Sequence, residues 1–345
     1  MMHATEQSRQ EHEAQFAQLE RYLRAQIDAS EQRRQQAWKR DFSSLEAYHR
    51  SVAPNRERFI AMLGGFPEPA QPTFREEPIG ALGSHQASRV WVSLVDGVEA
   101  YGVVLRPAGA GPFPAVIAQH GLSGSPEWVC GLVEPPDCHR HFAKTLADHG
   151  FLVFAPLVIN NTPNRVWLDR LAITVGRRLV GLETLKIKRV VDYLQGRPEV
   201  APGRIGIYGL SQGGLTALFA GAAEPRLAAC VCSAYFNHRT NKLVNASKHY
   251  TPYLATDEND KFLFNQLNEF SDSDIAALIC PRPFFVEAGN RDPAIWFRDA
   301  QAEFAKVCAL YERLGIPERA EMEVFEGDHR INAEGSIRFL KRWLA

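Results

Sequence analysis

The sequence predicts an α/β domain, a mostly parallel sheet flanked by helices, behind a helical N-terminal extension. Three observations predict it. From about residue 88, short apolar runs rich in β-branched and aromatic residues alternate with stretches of helical periodicity. Several of those runs are apolar on both faces, as strands of a buried parallel sheet are. The third is Arg204 to Gly221, RIGIYGLSQGGLTALFAG, which reads as a short strand, a turn of small residues and a helix opening at Gln212.

Residues 1 to about 66 read as helical. Phe16, Leu19, Leu23 and Ile27 form one apolar stripe at helical spacing. A second helix is expected from the capping box Ser43-Ser44-Leu45-Glu46, and a third after Pro54, ending at Gly64-Gly65. These helices are expected to cover one end of the main domain or to serve a homo-oligomer contact. Pro67 to Pro72 reads as a linker, which divides the chain into an extension, 1–79, and a main domain, 80–345.

Val90 to Val95, the turn Asp96-Gly97 and Glu99 to Leu105 predict an antiparallel hairpin. Further strands are expected at 114–119, 151–155, 205–208, 228–232, 284–287 and 321–325. Between them, helices are expected at about 140–149, 172–195, 211–223, 293–314 and 333–343. Sites in such sheets form beyond the carboxyl ends of the strands.

Composition excludes several classes. The chain has 345 residues, 45% hydrophobic and 23% charged, with a formal net charge of −1. That balance fits a soluble globular protein and selects neither nucleic acid nor an anionic membrane as partner. The first 30 residues hold no apolar run of the secretory kind, and no stretch reaches the roughly 18 apolar residues of a membrane span. Six dispersed cysteines do not form a disulfide framework, so a reduced, cytoplasmic protein is expected. Cys130, Cys138, His139 and His141 match no zinc spacing, and no metal is expected.

The chemistry centres on Gly209-Leu210-Ser211-Gln212-Gly213, a G-x-S-x-G in strand–turn–helix context. Such an elbow lifts the serine hydroxyl clear of the sheet, and the helix N-terminus behind it offers free N–H groups to a developing oxyanion. A serine needs an adjacent base, usually a histidine held by a carboxylate, in the chain order Ser, Asp or Glu, His. His329 follows the last expected strand, in Gly327-Asp328-His329-Arg330. Asp292 and Glu287 compete for the acid, since both follow the strand at 284–287; Asp292 ranks first, although it also suits a helix N-cap. Asp328 ranks below both, because neighbours in an extended loop point apart. The oxyanion donors are expected to be the N–H groups of Gln212 and of Leu122, in the turn His120-Gly121-Leu122. Candidates for lining the substrate are His120, Asn160, Asn161 and Asn237, and the segment of about 235–272 is a candidate lid.

With these residues the chain resembles an α/β-hydrolase, similar to the dienelactone-hydrolase-like and acetylxylan-esterase-like members. The likeness rests on the His120-Gly121 loop, the Gly209–Gly214 elbow, Asn290-Arg291-Asp292-Pro293 and Gly327-Asp328-His329, and covers about residues 80–345. Asp41-Phe42-Ser43 through Pro67 also resembles the helical prelude of bacterial members of the acetylxylan-esterase-like branch. The resemblance implies an eight-stranded, mostly parallel sheet and hydrolysis of a small ester through an acyl-serine, without metal or cofactor. Dienelactone hydrolases proper use cysteine as nucleophile, whereas this chain has Ser211. A prolyl-oligopeptidase-like serine peptidase and a non-catalytic binding protein on the same fold are the competing readings.

Overall fold

The computed structural model describes residues 5–67, 73–134 and 138–345. Residues 68–72 of the expected linker lie outside the described residues. Helices α1 (Glu6–Asp28), α2 (Ser30–Ala37) and α3 (Leu45–Met62) come first. The strands β1 (Phe74–Leu82), β2 (His85–Val95), β3 (Val98–Arg106), β4 (Phe113–Gln119), β5 (Leu152–Pro156), β6 (Val200–Leu210), β7 (Ala229–Ser233), β8 (Phe284–Gly289) and β9 (Ala320–Phe325) form one sheet. Its order is β1-β2-β3-β5-β4-β6-β7-β8-β9. β1, β2 and β3 are an antiparallel meander, β3 pairs antiparallel with β5, and every later pairing is parallel.

The sheet therefore has nine strands among the described residues, not the expected eight. The additional one is β1, an edge strand whose side chains are mostly exposed and whose register shifts at Pro78/Gly80. An edge strand with no buried face and an internal proline carries no period-two apolar signal.

Helices cover both faces. They are α4 (Pro126–Val129), α5 (Phe142–Asp148), α6 (Thr162–Thr174), α7 (Leu179–Gln195), α8 (Gln212–Ala223), α9 (Arg239–Val244), α10 (Gln266–Glu269), α11 (Asp272–Ile279), α12 (Phe297–Arg313) and α13 (Glu334–Leu344). The single helix expected over 172–195 is two, broken where Gly176 takes φ +71°. Alternation along the strands feeds two cores. Ile117, Ile205 and Ile207 pack with Val190 of α7, Leu218 of α8, Ile275 of α11 and Phe304 of α12. Val116, Tyr208 and Leu210 pack with Phe142 and Leu146 of α5 and Ile337 and Leu340 of α13.

Within the extension, α3 departs from expectation. α3 runs unbroken through Pro54, so the two helices expected there are one. Its N-cap is Ser44, whose hydroxyl accepts from Ala47 N at 3.0 Å, and Glu46 pairs with Arg50 instead of closing a capping box. Packing outweighs the lost proline bond: Tyr48, Val52 and Phe59 are fully buried in the same core as the sheet. α3 also supplies donors to helix ends that have none. Tyr48 Oη donates to Ala277 O at 2.8 Å, and Arg56 donates to Ala222 O and Leu278 O at 3.0 and 2.8 Å. Those carbonyls lie in the last turns of α8 and α11, where intrahelical partners run out. Tyr48→Phe is expected to cost about 1–2 kcal/mol in urea denaturation, because the buried Ala277 carbonyl loses its donor. An unchanged midpoint would show that the bond contributes nothing net.

α1 behaves differently: of its expected stripe, Phe16, Leu19 and Leu23 are 57–63% exposed and Ile27 is half-buried. All six cysteines are free thiols. No helix among the described residues is long and apolar enough to cross a membrane.

Candidate active site

The parallel strands β4 to β9 end on one rim, and the loops that follow them interlock there. β6 runs into Ser211, which takes φ 59° and ψ −116°, and α8 opens at the next residue. A non-glycine residue at positive φ is strained, and the surroundings hold it: Ser211 N donates to Ser233 O at 2.9 Å, and Ser211 O accepts from Leu215 N at 2.9 Å. The flanking glycines are required by space. A Cβ on Gly209 would collide with the Gly213 carbonyl, and one on Gly213 with the Gln119 carbonyl of β4.

Asp292 and His329 are brought together by the loops after β8 and β9. Asn290 N donates to Phe325 O at 3.0 Å and Arg291 N to Gly327 O at 2.8 Å, stitching one loop to the other. His329 Nδ1 lies 2.8 and 3.0 Å from the two oxygens of the Asp292 carboxylate, whose side chain is fully buried. An ionised carboxylate only accepts, so Nδ1 carries the proton and Nε2 is left as the basic nitrogen. α12 starts at Phe297 with Trp296 at its N-cap, so Asp292 is not that helix's cap. Its Oδ1 also accepts from Ala294 N at 2.7 Å, which fixes the carboxylate. Among the described residues no hydrogen bond joins Ser211 Oγ to His329, an approach that in free enzymes often closes only with substrate present.

Glu287 has other partners. It is fully buried and accepts from Tyr208 Oη, Ser233 Oγ, Ser336 Oγ, Asn332 N and Ala333 N at 2.7–3.1 Å. Burial pushes its carboxyl above the usual range. The two backbone donors lie three and four residues beyond His329, so Glu287 anchors the loop that carries the histidine.

The other predicted residues divide. Leu122 is half-buried in the turn after β4, and neither its N–H nor that of Gln212 makes a hydrogen bond among the described residues. His120 is fully buried, with Nδ1 2.8 Å from Gly121 O and Nε2 3.1 Å from Val158 N. It orders the loop and exposes no surface, which corrects the lining expectation. Asn237 is corrected in the same way: it has no exposed surface, its N–H donates to Asp272 Oδ2 at 2.9 Å, and its Oδ1 accepts from His238 N at 2.7 Å. Asn160 is exposed and donates to Gly124 O at 2.7 Å; Asn161 caps α6 by accepting from Asn164 N at 3.1 Å.

Sequence reasoning missed two contributors. His139 is buried, and its Nε2 accepts from Gly121 N at 2.9 Å, so a residue read only as a metal candidate supports the loop of Leu122. Lys261 Nζ, from the 235–272 segment, lies 2.8 Å from Gln212 Oε1 beside the elbow. That segment is pinned by buried pairs, among them Arg239–Asp272 at 2.6 Å.

The chain is similar to known proteins in sequence and in fold. Putative hydrolase YtaP of Bacillus subtilis (strain 168) is 28% identical over 255 residues, spanning 68% of this chain and 80% of that protein. The fold is similar to that of a glucuronoyl esterase from Solibacter usitatus, at TM-score 0.65 and 16% identity over 86% of this chain and 94% of that one. Acetyl Xylan Esterase 1 from Thermoanaerobacterium sp. JW/SL YS485 superposes at TM-score 0.56 and 16% identity, over 85% of this chain and 93% of that one. The profile of the Dienelactone hydrolase family matches residues 100–277, more than half of the sequence, from β3 through the elbow to α11. The chain belongs to the dienelactone hydrolase family.

Proposed function

We propose that the protein is a serine hydrolase of carboxylic esters, with Ser211 as nucleophile, His329 as base and Asp292 as the carboxylate that orients it. The observation that carries the reading is the His329–Asp292 pair on the strand rim that also presents Ser211 at positive φ. In this scheme His329 Nε2 takes the proton from Ser211 Oγ as the oxygen attacks the ester carbonyl. The carbonyl oxygen becomes an oxyanion facing the N–H groups of Leu122 and Gln212. Collapse expels the alcohol, which receives the proton from Nε2. Water then attacks the acyl-serine, losing its proton to Nε2, and collapse releases the acid as Ser211 Oγ takes that proton back. Asp292 keeps Nδ1 protonated throughout and stabilises the imidazolium.

For the substrate we propose a small ester, with an acetyl ester of a sugar as first choice. The support is the likeness to Acetyl Xylan Esterase 1, and the glucuronoyl esterase likeness supplies the rival, an ester whose acyl half is a sugar acid. Steady-state hydrolysis of p-nitrophenyl acetate, butyrate and octanoate, beside an acetylated xylose and a methyl glucuronate, separates them. The expected order puts the acetyl esters first in kcat/KM. A preference for methyl glucuronate would reverse the choice, and for octanoate would discard both.

A further inference from the structure

Behind the elbow lies a closed ring of five buried side chains, four charged and one carboxamide. Arg165 of α6 donates Nη1 and Nη2 to the two carboxylate oxygens of Glu183 on α7, at 2.6 and 2.9 Å. It also donates Nε and Nη2 to Asp260 Oδ2, at 3.1 and 2.8 Å. Lys261 Nζ sits 2.8 Å from that same Asp260 oxygen and 2.8 Å from Gln212 Oε1. Gln212 Nε2 completes the ring by donating to Glu183 Oε2 at 3.3 Å. All five side chains are buried. Although burial opposes it, Arg165 holds the Glu183 carboxyl below the usual range, and Lys261 and Arg165 do the same for Asp260.

Buried ion pairs are an expensive way to gain stability, since desolvating the charges offsets most of their attraction. Well-packed apolar residues would hold α6 and α7 together as well. What the ring adds is direction. It ends on one neutral carboxamide, with a cation on its oxygen and an anion on its nitrogen, and so fixes which way Gln212 faces. Gln212 is the first residue of α8 and follows Ser211 directly. Its backbone N–H is one of the two oxyanion donors of the proposed mechanism, and an oxyanion donor is effective only when aimed beforehand.

We propose that Lys261 and Glu183 are positioning residues, which act through the Gln212 side chain to hold the oxyanion donor in line. The segment 235–272 thereby becomes part of the catalytic apparatus through Lys261, rather than a lid over it. This inference rests on the ester-hydrolase reading above.

The test compares Lys261→Met, Gln212→Met and the double variant in p-nitrophenyl acetate hydrolysis and in inhibition by phenylboronic acid. The boronate adds to a serine oxygen and places a boron-bound oxygen where the oxyanion forms. Each single substitution is expected to lower kcat about 10- to 100-fold, as a small misplacement of a catalytic group does. KM is expected to stay within about twofold, because the donor acts in the transition state. Boronate affinity falls in parallel with kcat, Lys261→Arg restores most of it, and the double variant is no worse than the weaker single one. A loss of packing alone would lower thermal stability without changing boronate affinity relative to KM. Wild-type kcat in either folded single variant, or losses that multiply in the double, would overturn the inference. If Lys261→Met does not fold, Gln212→Met, which removes no charge, decides. The outcomes also separate the two readings: activity that survives Ser211→Ala removes the mechanism itself, whereas an inactive Ser211→Ala beside a fully active Lys261→Met removes only the positioning role.

Discussion

Ser211→Ala is expected to lower ester turnover by about 10,000-fold or more, the loss seen when a triad nucleophile is deleted. The residue loses only a hydroxyl that makes no hydrogen bond to His329 in the free protein, so the fold has little reason to change. The positive φ remains, and alanine bears it no better than serine does. Activity and stability are therefore expected to separate: turnover vanishes while the thermal midpoint stays near the wild-type value. A variant that unfolds would mean that Ser211 carries structure as well.

The second large effect distinguishes two carboxylates that the chain places five residues apart. Asp292→Asn is expected to lower kcat about 10,000-fold, because the amide presents a donor to Nδ1 or forces the other tautomer on the ring. Glu287→Gln is expected to act on stability instead. Its two oxygens each face a backbone N–H, of Asn332 and of Ala333, so an amide nitrogen must oppose one of them whichever way it turns. That conflict inside a buried site is expected to cost about 2–4 kcal/mol in denaturant unfolding. Below its lowered melting temperature the variant keeps most of its turnover. The opposite pattern, with Glu287→Gln stable but inactive and Asp292→Asn active, would hand the role to Glu287.

Why the sequence could rank these acids without separating them is a matter of chain path. Both follow β8, and order along the chain says only that one of them meets the histidine. The choice is made by the loop beyond Gly289, where Asn290 and Arg291 bond to the loop after β9 and swing Asp292 under His329. The elbow, in contrast, is legible in the residues themselves, since Gly209 and Gly213 sit where any side chain would strike backbone. The parallel strands were readable because burial on both faces leaves only apolar residues. β1 was not, because an exposed edge strand is under no such constraint. The ring from Arg165 to Lys261 joins residues 95 and 49 positions apart in the chain, and no local pattern marks it. His120 and Asn237 look like exposed polar residues in a loop, yet both side chains turn inward and accept from backbone N–H groups, those of Val158 and His238.

The most direct measurement is trapping of the acyl-enzyme. The protein is mixed with p-nitrophenyl acetate, quenched in acid within the burst, digested with trypsin and weighed. The expected peptide runs from Ile205 to Arg226 and contains one serine, Ser211. An acetyl group is expected on that serine, absent from Ser211→Ala and accumulating at the rate of the burst. Turnover with no acetyl on this peptide, or an adduct elsewhere that forms equally in Ser211→Ala, would contradict it.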